Sequence, residues 1–204
     1  MRGFDRGARS WYARPAMSPP PDTLLGSSIK EVLFTAEDIA AKVQELGRGL
    51  TEHYRGRRPL VVGILTGCFP FIADLVRAMD IELEVDFMSV SSYGAGTKSS
   101  GVVRFLKDLD QPIEGRDVLL VEDIIDTGLT LKYLTEALHT RKPASIQICA
   151  LLDKQAGRTQ NVEVQWRGFD CPDAFVVGYG LDYSGAYRNL PYVGVLDPSV
   201  YKGE

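Results

Sequence analysis

Histidine and cysteine are scarce in this chain, and each shortage excludes some chemistry. The two histidines, His53 and His139, stand far apart in 204 residues, so a histidine-ligated metal centre has no ligand set. Three cysteines, Cys68, Cys149 and Cys171, make an odd number without C-x-x-C spacing. That argues against a disulfide framework or structural zinc and suits a reducing, cytoplasmic setting. No apolar run reaches the ~18 residues of a membrane span. A basic excess is missing as well. The net charge is −4 and the pI about 5.3, which speaks against a broad nucleic-acid footprint but leaves room for a local basic pocket. Internal repeats and low-complexity tracts are absent. What remains is 45% hydrophobic and 25% charged, enough for one globular domain with a sizeable core.

Residues 1–17 contain no Leu, Ile or Val and carry four arginines, and 18–22 read SPPPD. Such a stretch buries little, so 1–25 is read as a disordered extension and 26–204 as the domain. It lacks the apolar core of a secretory signal. Its Arg-rich opening faintly resembles an organelle transit peptide, but a plain tail is the simpler reading. Met17 is a candidate biological start, which N-terminal sequencing of the native protein tests.

Regular signals begin near residue 30. Thr35-Ala-Glu-Asp38 has the form of a capping box, and Ile39, Val43, Leu46 and Leu50 follow at helical spacing. "RPLVVGILTG" reads as a buried strand and its turn. "CFPFIADLVRAM" puts Ile72, Leu75, Val76 and Met79 on one helical face, with Pro70 near the start. "EVDFMSV" is the next strand, "SSYGAGTKSSG" a long flexible loop and "VVRFL" a short strand at its base. "DVLLVED" is a second buried strand, and Leu131, Leu134 and Leu138 mark the helix after it. "SIQICALL", "AFVVGYG" and "YVGVL" are three more strands. Short apolar strands alternating with amphipathic helices predict an α/β fold with a mostly parallel central sheet flanked by helices. Ligands of such sheets bind at the carboxyl ends of the strands.

The acids of "VLLVEDIIDTGLT", residues 118–130, lie at such an end. Asp126-Thr127-Gly128-Leu129-Thr130 opens a helix, whose first turn offers free N–H groups and a positive dipole end. Gly128 admits a ligand close to the backbone, and Thr127 and Thr130 add hydroxyls. This is a cradle for one phosphate, although neither the Walker A spacing nor GxGxxG is present. Glu122 and Asp123 then suit the vicinal hydroxyls of a ribose on the same ligand. An Asp N-cap beside solvated acids is the bland alternative. The buried strand, the acid pair and both threonines together outweigh it.

"VLLVEDIIDTGLT" closely resembles the phosphoribosyl-pyrophosphate signature of the type I phosphoribosyltransferases, in its hypoxanthine-guanine form. "SSYG…SSGVVRFLKDLD", "LLDK" and "PDAFVVGYGLDYSGAYRNLPYVGVL" resemble that branch's catalytic loop, purine-contacting segment and C-terminal base and pyrophosphate region. The resemblance spans roughly residues 30–200. It implies the family's fold, with a small hood and a flexible catalytic loop. The implied reaction transfers the 5-phosphoribosyl group from phosphoribosyl pyrophosphate to hypoxanthine or guanine, with magnesium and in the cytoplasm. It also implies a homodimer or homotetramer, and neither nucleic acid nor membrane as partner.

The residue roles that follow are carried over from this resemblance. Glu122 and Asp123 hold the ribose hydroxyls, and Asp126 is the general acid/base at purine N7. Asp126, Thr127, Gly128, Leu129 and Thr130 cradle the phosphate, with Leu129 standing where Lys is frequent. Lys154 donates to the purine 6-oxo group, and its ammonium would repel the amino group of adenine. Phe175 stacks on the base, Val176 gives backbone contacts to it, and Asp182 lies beside it as a metal ligand. Glu122 and Asp123 complete the implied metal set. Leu65, Thr66 and Gly67, followed by Cys68, match the pyrophosphate turn, with Arg188 as a second pyrophosphate contact. Thr66 replaces a frequent Lys and puts in question the family's non-proline cis peptide, a bond that costs about 3–4 kcal/mol. Ser92 and Tyr93 match the closing loop. Cys149 and Cys171 read as small core residues. Xanthine-guanine or uracil specificity, a ligand-sensing regulator and a nucleotide-binding structural subunit are the competing readings. Lys154 and "FVVGYGLDY" weigh against uracil.

Overall fold

In the computed structural model the described residues are 24–92 and 103–201. The expected extension 1–25 therefore lies outside them, except for Leu24 and Leu25 in a turn. Tyr93 and the rest of the expected loop through residue 101 also lie outside, as does residue 102 at the start of the expected strand "VVRFL".

β1 (Ile29–Phe34) leads into α1 (Ala36–His53). The capping box sets where this helix starts: the Asp38 amide donates to the Thr35 hydroxyl at 3.1 Å, and the Thr35 amide donates to the Asp38 carboxylate at 3.2 Å. Each bond satisfies an amide that no helical carbonyl reaches. The buried stripe of α1 is Ile39, Val43, Leu46 and Leu50, at the spacing read from the sequence. β2 (Leu60–Leu65) is all but wholly buried, as a central strand with both faces covered must be. α2 (Phe69–Ala78) carries Pro70 in its first turn, where a missing amide is harmless. β3 (Glu84–Ser92), β4 (Val103–Lys107) and β5 (Asp117–Ile125) follow, then α3 (Leu129–His139) and β6 (Ser145–Asp153). β7 (Trp166–Asp170), β8 (Val176–Val177), β9 (Val193–Leu196) and α4 (Pro198–Tyr201) complete the chain.

Six strands form the central sheet in the order β4-β3-β2-β5-β6-β7. Only the β3–β4 pair is antiparallel. Side chains of α1 and α2 pack on one face with Val61, Leu119 and Leu151 of the sheet. Leu131, Leu134 and Leu138 of α3 pack on the other with Val62, Leu120 and Ile148. The mixed α/β architecture with a mostly parallel sheet between helices is thus the expected one. Among the described residues no helix is long and apolar enough to cross a membrane.

Two strands escaped the sequence reading, and one was read too long. β1 and β7 were not expected. "AFVVGYG" shortens to the two residues of β8, because Gly178 at φ 100° and Tyr179 at φ 47° bend the chain out of extended geometry. β8 and β9 do not join the central sheet. With β1 they form a separate antiparallel sheet, β1-β9-β8, which supplies the expected small hood.

Candidate active site

The carboxyl ends of β2 and β5 open into a cleft of about 310 Å³. Leu65, Thr66 and Gly67 line one side of it, and Glu122 through Gly128 with Thr130 line the other. The ends adjoin because β2 and β5 pair in parallel register, Gly63 opposite Val121.

Gly128, at φ 80°, makes the left-handed turn from β5 into α3. No side chain caps this helix from that position. Gly128 and Thr130 both line the cleft, so the positive dipole end of the helix lies beside it, as an anion site requires. One of the first amides is engaged locally: the Leu129 amide donates to the Thr127 hydroxyl at a long 3.3 Å.

Glu122 is buried and Asp123 stands beside it. Burial, then the charge of Asp123, holds the Glu122 carboxyl well above its ordinary value. Burial also raises Asp123; amide donation from Ile124 and the nearby Arg188 guanidinium oppose this, and Asp182 adds to it. Among the described residues no ion pair reaches Glu122, Asp123 or Asp126. Glu122 and Asp123 are desolvated without an ion pair, which is costly unless a ligand satisfies them, whereas Asp126 is exposed.

The turn of β2 meets this acid pair directly. The Leu65–Thr66 peptide is cis, although Thr66 stands where Lys is frequent. A Cβ on Gly67 would lie 1.7 Å from Asp123 Oδ2, so only glycine lets the carboxylate rest against the turn. Cys68 is fully buried behind it, its thiol pushed far up by burial and by the charges of Glu122 and Asp123. Cys149 and Cys171 are buried too, as expected.

The hood contributes the remaining side chains. Arg188 Nη2 pairs with Asp182 Oδ1 at 2.7 Å, and Nη1 donates to the Gly180 carbonyl at 2.6 Å. Asp182 also accepts from the Gly185 amide at 2.8 Å. Phe175 is 40% exposed. Tyr201 stacks on it at 5.1 Å between centroids, and Tyr183 meets it edge-on at 5.7 Å. Val176 is buried and pairs with Val195 of β9. Lys154 follows the last residue of β6. Its amide donates to the Ile125 carbonyl at 2.9 Å, and its ammonium pairs with Asp173 at 3.0 Å. Burial opposes that ammonium, but Asp173 and Asp126 outweigh the penalty and leave its pKa raised.

The structure thus groups Leu65, Thr66 and Gly67 with Glu122 through Gly128 and Thr130 in one cleft. Ser92 ends β3, and nothing is described of its side chain. The expected metal ligands are Glu122, Asp123 and Asp182; among the described residues no three acids, histidines or cysteines form a single metal-holding group. Asp182 is instead engaged by Arg188. Glu122 and Asp123 still offer hard oxygen donors. They fit magnesium, which binds through one or two carboxylates and completes its shell with substrate oxygens and water. Asp173 and Gly157 were not foreseen. A Cβ on Gly157 would lie 1.7 Å from Asp126 Oδ1, so the carboxylate of Asp126 leans on that glycine. No sequence spacing links Asp173 to Lys154; only the parallel pairing of β6 and β7 brings them together.

Comparison with known proteins agrees with this geometry. The phosphoribosyl transferase domain family matches residues 31–184. The chain is 54% identical over 179 residues to a hypoxanthine-guanine phosphoribosyltransferase of Bacillus subtilis, covering 88% of this chain and 99% of that one. It is 52% identical over 178 residues to the enzyme of that name from Streptococcus thermophilus, covering 87% and 99%. A crystal structure of a hypoxanthine phosphoribosyltransferase from Staphylococcus aureus superposes with a TM-score of 0.86 at 49% identity, covering 89% and 99%. The chain therefore belongs to the phosphoribosyltransferase family, within its hypoxanthine-guanine branch.

Proposed function

We propose that this protein is a purine-salvage enzyme. It transfers the 5-phosphoribosyl group of phosphoribosyl pyrophosphate to hypoxanthine or guanine, giving IMP or GMP and pyrophosphate. The observation that carries the reading is the cleft between residues 65–67 and 122–130. Paired, unneutralised acids stand there beside an uncapped helix start, which suits a sugar phosphate.

In this reading the amides of Asp126 through Thr130 and the hydroxyls of Thr127 and Thr130 take the 5′-phosphate. Glu122 and Asp123 accept hydrogen bonds from the ribose hydroxyls, the interaction their burial calls for. The same two carboxylates would hold magnesium, which would supply charge neutralisation for the leaving pyrophosphate. Backbone amides of the 65–67 turn and Arg188 hold pyrophosphate. Arg188 first leaves or shares its bond to Asp182. As pyrophosphate departs and the anomeric carbon gains positive character, purine N9 attacks. Asp126 holds or takes the proton at N7. Lys154 turns from Asp173 to the 6-oxo group, Val176 meets the base through its backbone, and Phe175 stacks on it. Asp182 sits at the base edge. Ser92 and Tyr93 belong to the segment that closes over the centre and excludes water. Catalysis here is positioning and charge stabilisation, without a covalent intermediate. The three free cysteines need no part in it, and they suit the cytoplasm. A homodimer or homotetramer rests on family membership alone.

The test is a steady-state assay with phosphoribosyl pyrophosphate and magnesium, following hypoxanthine, guanine, xanthine, adenine and uracil in parallel by ultraviolet absorbance. Turnover of hypoxanthine and guanine, with adenine and uracil inert, is expected. Donor binding without turnover of any base would overturn the enzyme reading in favour of a ligand-sensing one.

A further inference from the structure

The turn that carries Asp126 and the phosphate cradle is braced from the stretch after β6, by residues other than Lys154 and Gly157. Asp153, the last residue of β6, is only 4% exposed, yet it carries a carboxylate. It does not line the substrate cleft. It lines a separate cavity of about 310 Å³ with Gln155, Arg158, Val162, Val164 and Arg167.

A buried carboxylate keeps its charge at low cost only when cations and donors surround it. Here Arg158 Nη2 binds Asp153 Oδ1, Arg167 Nη1 lies 3.4 Å from Oδ2, and Gln155 Nε2 donates at 3.5 Å. The rest of the Arg158 fork goes to main chain. Its Nε donates to the Asp126 carbonyl at 3.1 Å, and its Nη1 to the Val162 carbonyl at 3.4 Å. One planar guanidinium therefore joins a buried anchor to the backbone of the proposed acid/base. Lysine, with a single ammonium, cannot span these partners.

Further bonds of the same stretch reach the next residue. The Thr159 and Gln160 amides donate to the Thr127 carbonyl at 3.0 and 3.1 Å, and the Thr159 hydroxyl donates to it at 3.2 Å. Lys132 of α3 donates to Gln160 Oε1 at 3.0 Å. Lys154 lies between the anchor and the brace.

We infer that Asp153, acting through Arg158, is a positioning residue that sets Asp126 and the phosphate turn relative to Lys154. The purine-reading lysine and the sugar-phosphate cradle are then held by one brace. The inference rests on the functional reading above.

Three variants test it. Asp153→Asn keeps the shape and removes the charge. Arg158→Lys keeps the charge and removes the fork. Arg158→Ala opens the position to the adjoining cavity, which admits free guanidinium from solution. In each, kcat with hypoxanthine should fall by about 10-fold or more, and KM for phosphoribosyl pyrophosphate should rise more than KM for the purine. Guanidinium should restore part of kcat in Arg158→Ala, but not when Asp153→Asn is added. Amide exchange at Thr159 and Gln160 should quicken while the β2 amides stay protected, which also reports that the variants are folded. Wild-type kinetics and wild-type exchange in folded Asp153→Asn and Arg158→Lys would overturn the inference. If the wild-type protein turns over no 6-oxopurine, the functional reading fails and the exchange result decides the brace alone: unchanged exchange overturns it, and faster exchange supports it.

Discussion

Strand β5 begins and ends in acids, and its two ends are treated in opposite ways. At the amino end Asp117 pairs with Arg57 at 3.2 Å and accepts from the Ser145 hydroxyl. Next to it, Glu84 pairs with Arg116 at 2.9 Å and Arg58 at 3.6 Å. At the carboxyl end Glu122, Asp123 and Asp126 have no ion pair among the described residues. One end is complete in the protein alone. The other is left for a ligand to complete, and the fold bears the desolvation of Glu122 and Asp123 until one arrives. Natural proteins break the rules of local satisfaction mainly where they bind or react.

Substitutions at the two ends should therefore differ in kind. The largest effect belongs to Asp126→Ala, which should lower kcat by ~10²- to 10⁴-fold while calorimetry finds donor affinity nearly unchanged. Near-normal turnover would strip Asp126 of its role. Lys154→Gln comes next. It removes a charged hydrogen bond to the base and should lower kcat/KM for hypoxanthine by about 10- to 100-fold, narrowing the preference over adenine; an unchanged ratio between the two bases would detach Lys154 from base choice. The smallest effect is expected at the amino end. Arg57→Ala breaks a pair that solvent partly screens, so denaturant unfolding should show a loss of roughly 0.5–1 kcal/mol with kcat intact. A fall in kcat there would blur the distinction between the ends.

What the sequence revealed follows the same division. "LVVGIL" and "DVLLVED" were legible because a strand covered on both faces is apolar throughout. The helix stripes and the Thr35 cap were legible because they depend on neighbours a few residues away. β1, "IKEVLF", alternates poorly and finds its partner in β9 at the far end of the chain. β7, "WRGFD", is an edge strand with exposed positions and no apolar run. In the site, Glu122 through Thr130 could be read because they are contiguous and their chemistry is local. The Asp173 partner of Lys154, the Arg188 hold on Asp182 and the rest of Asp126 against Gly157 arise from tertiary contacts that no spacing encodes.

The contrast between the ends is tested most directly by thermal unfolding of the ligand-free protein, Glu122→Gln and Asp117→Asn from acidic to neutral pH. Burial raises the folded-state pKa of Glu122 above its unfolded value, so the native state binds that proton more tightly. The stability tied to this group is full below the unfolded-state value of ~4.3 and is lost as pH rises toward the folded-state value. Glu122→Gln should therefore raise the unfolding midpoint at neutral pH, by a margin that shrinks on acidification, whereas Asp117→Asn should lower it. A neutral-pH midpoint that falls in Glu122→Gln as it does in Asp117→Asn would contradict the account, because the acids at the carboxyl end would then be satisfied without a ligand.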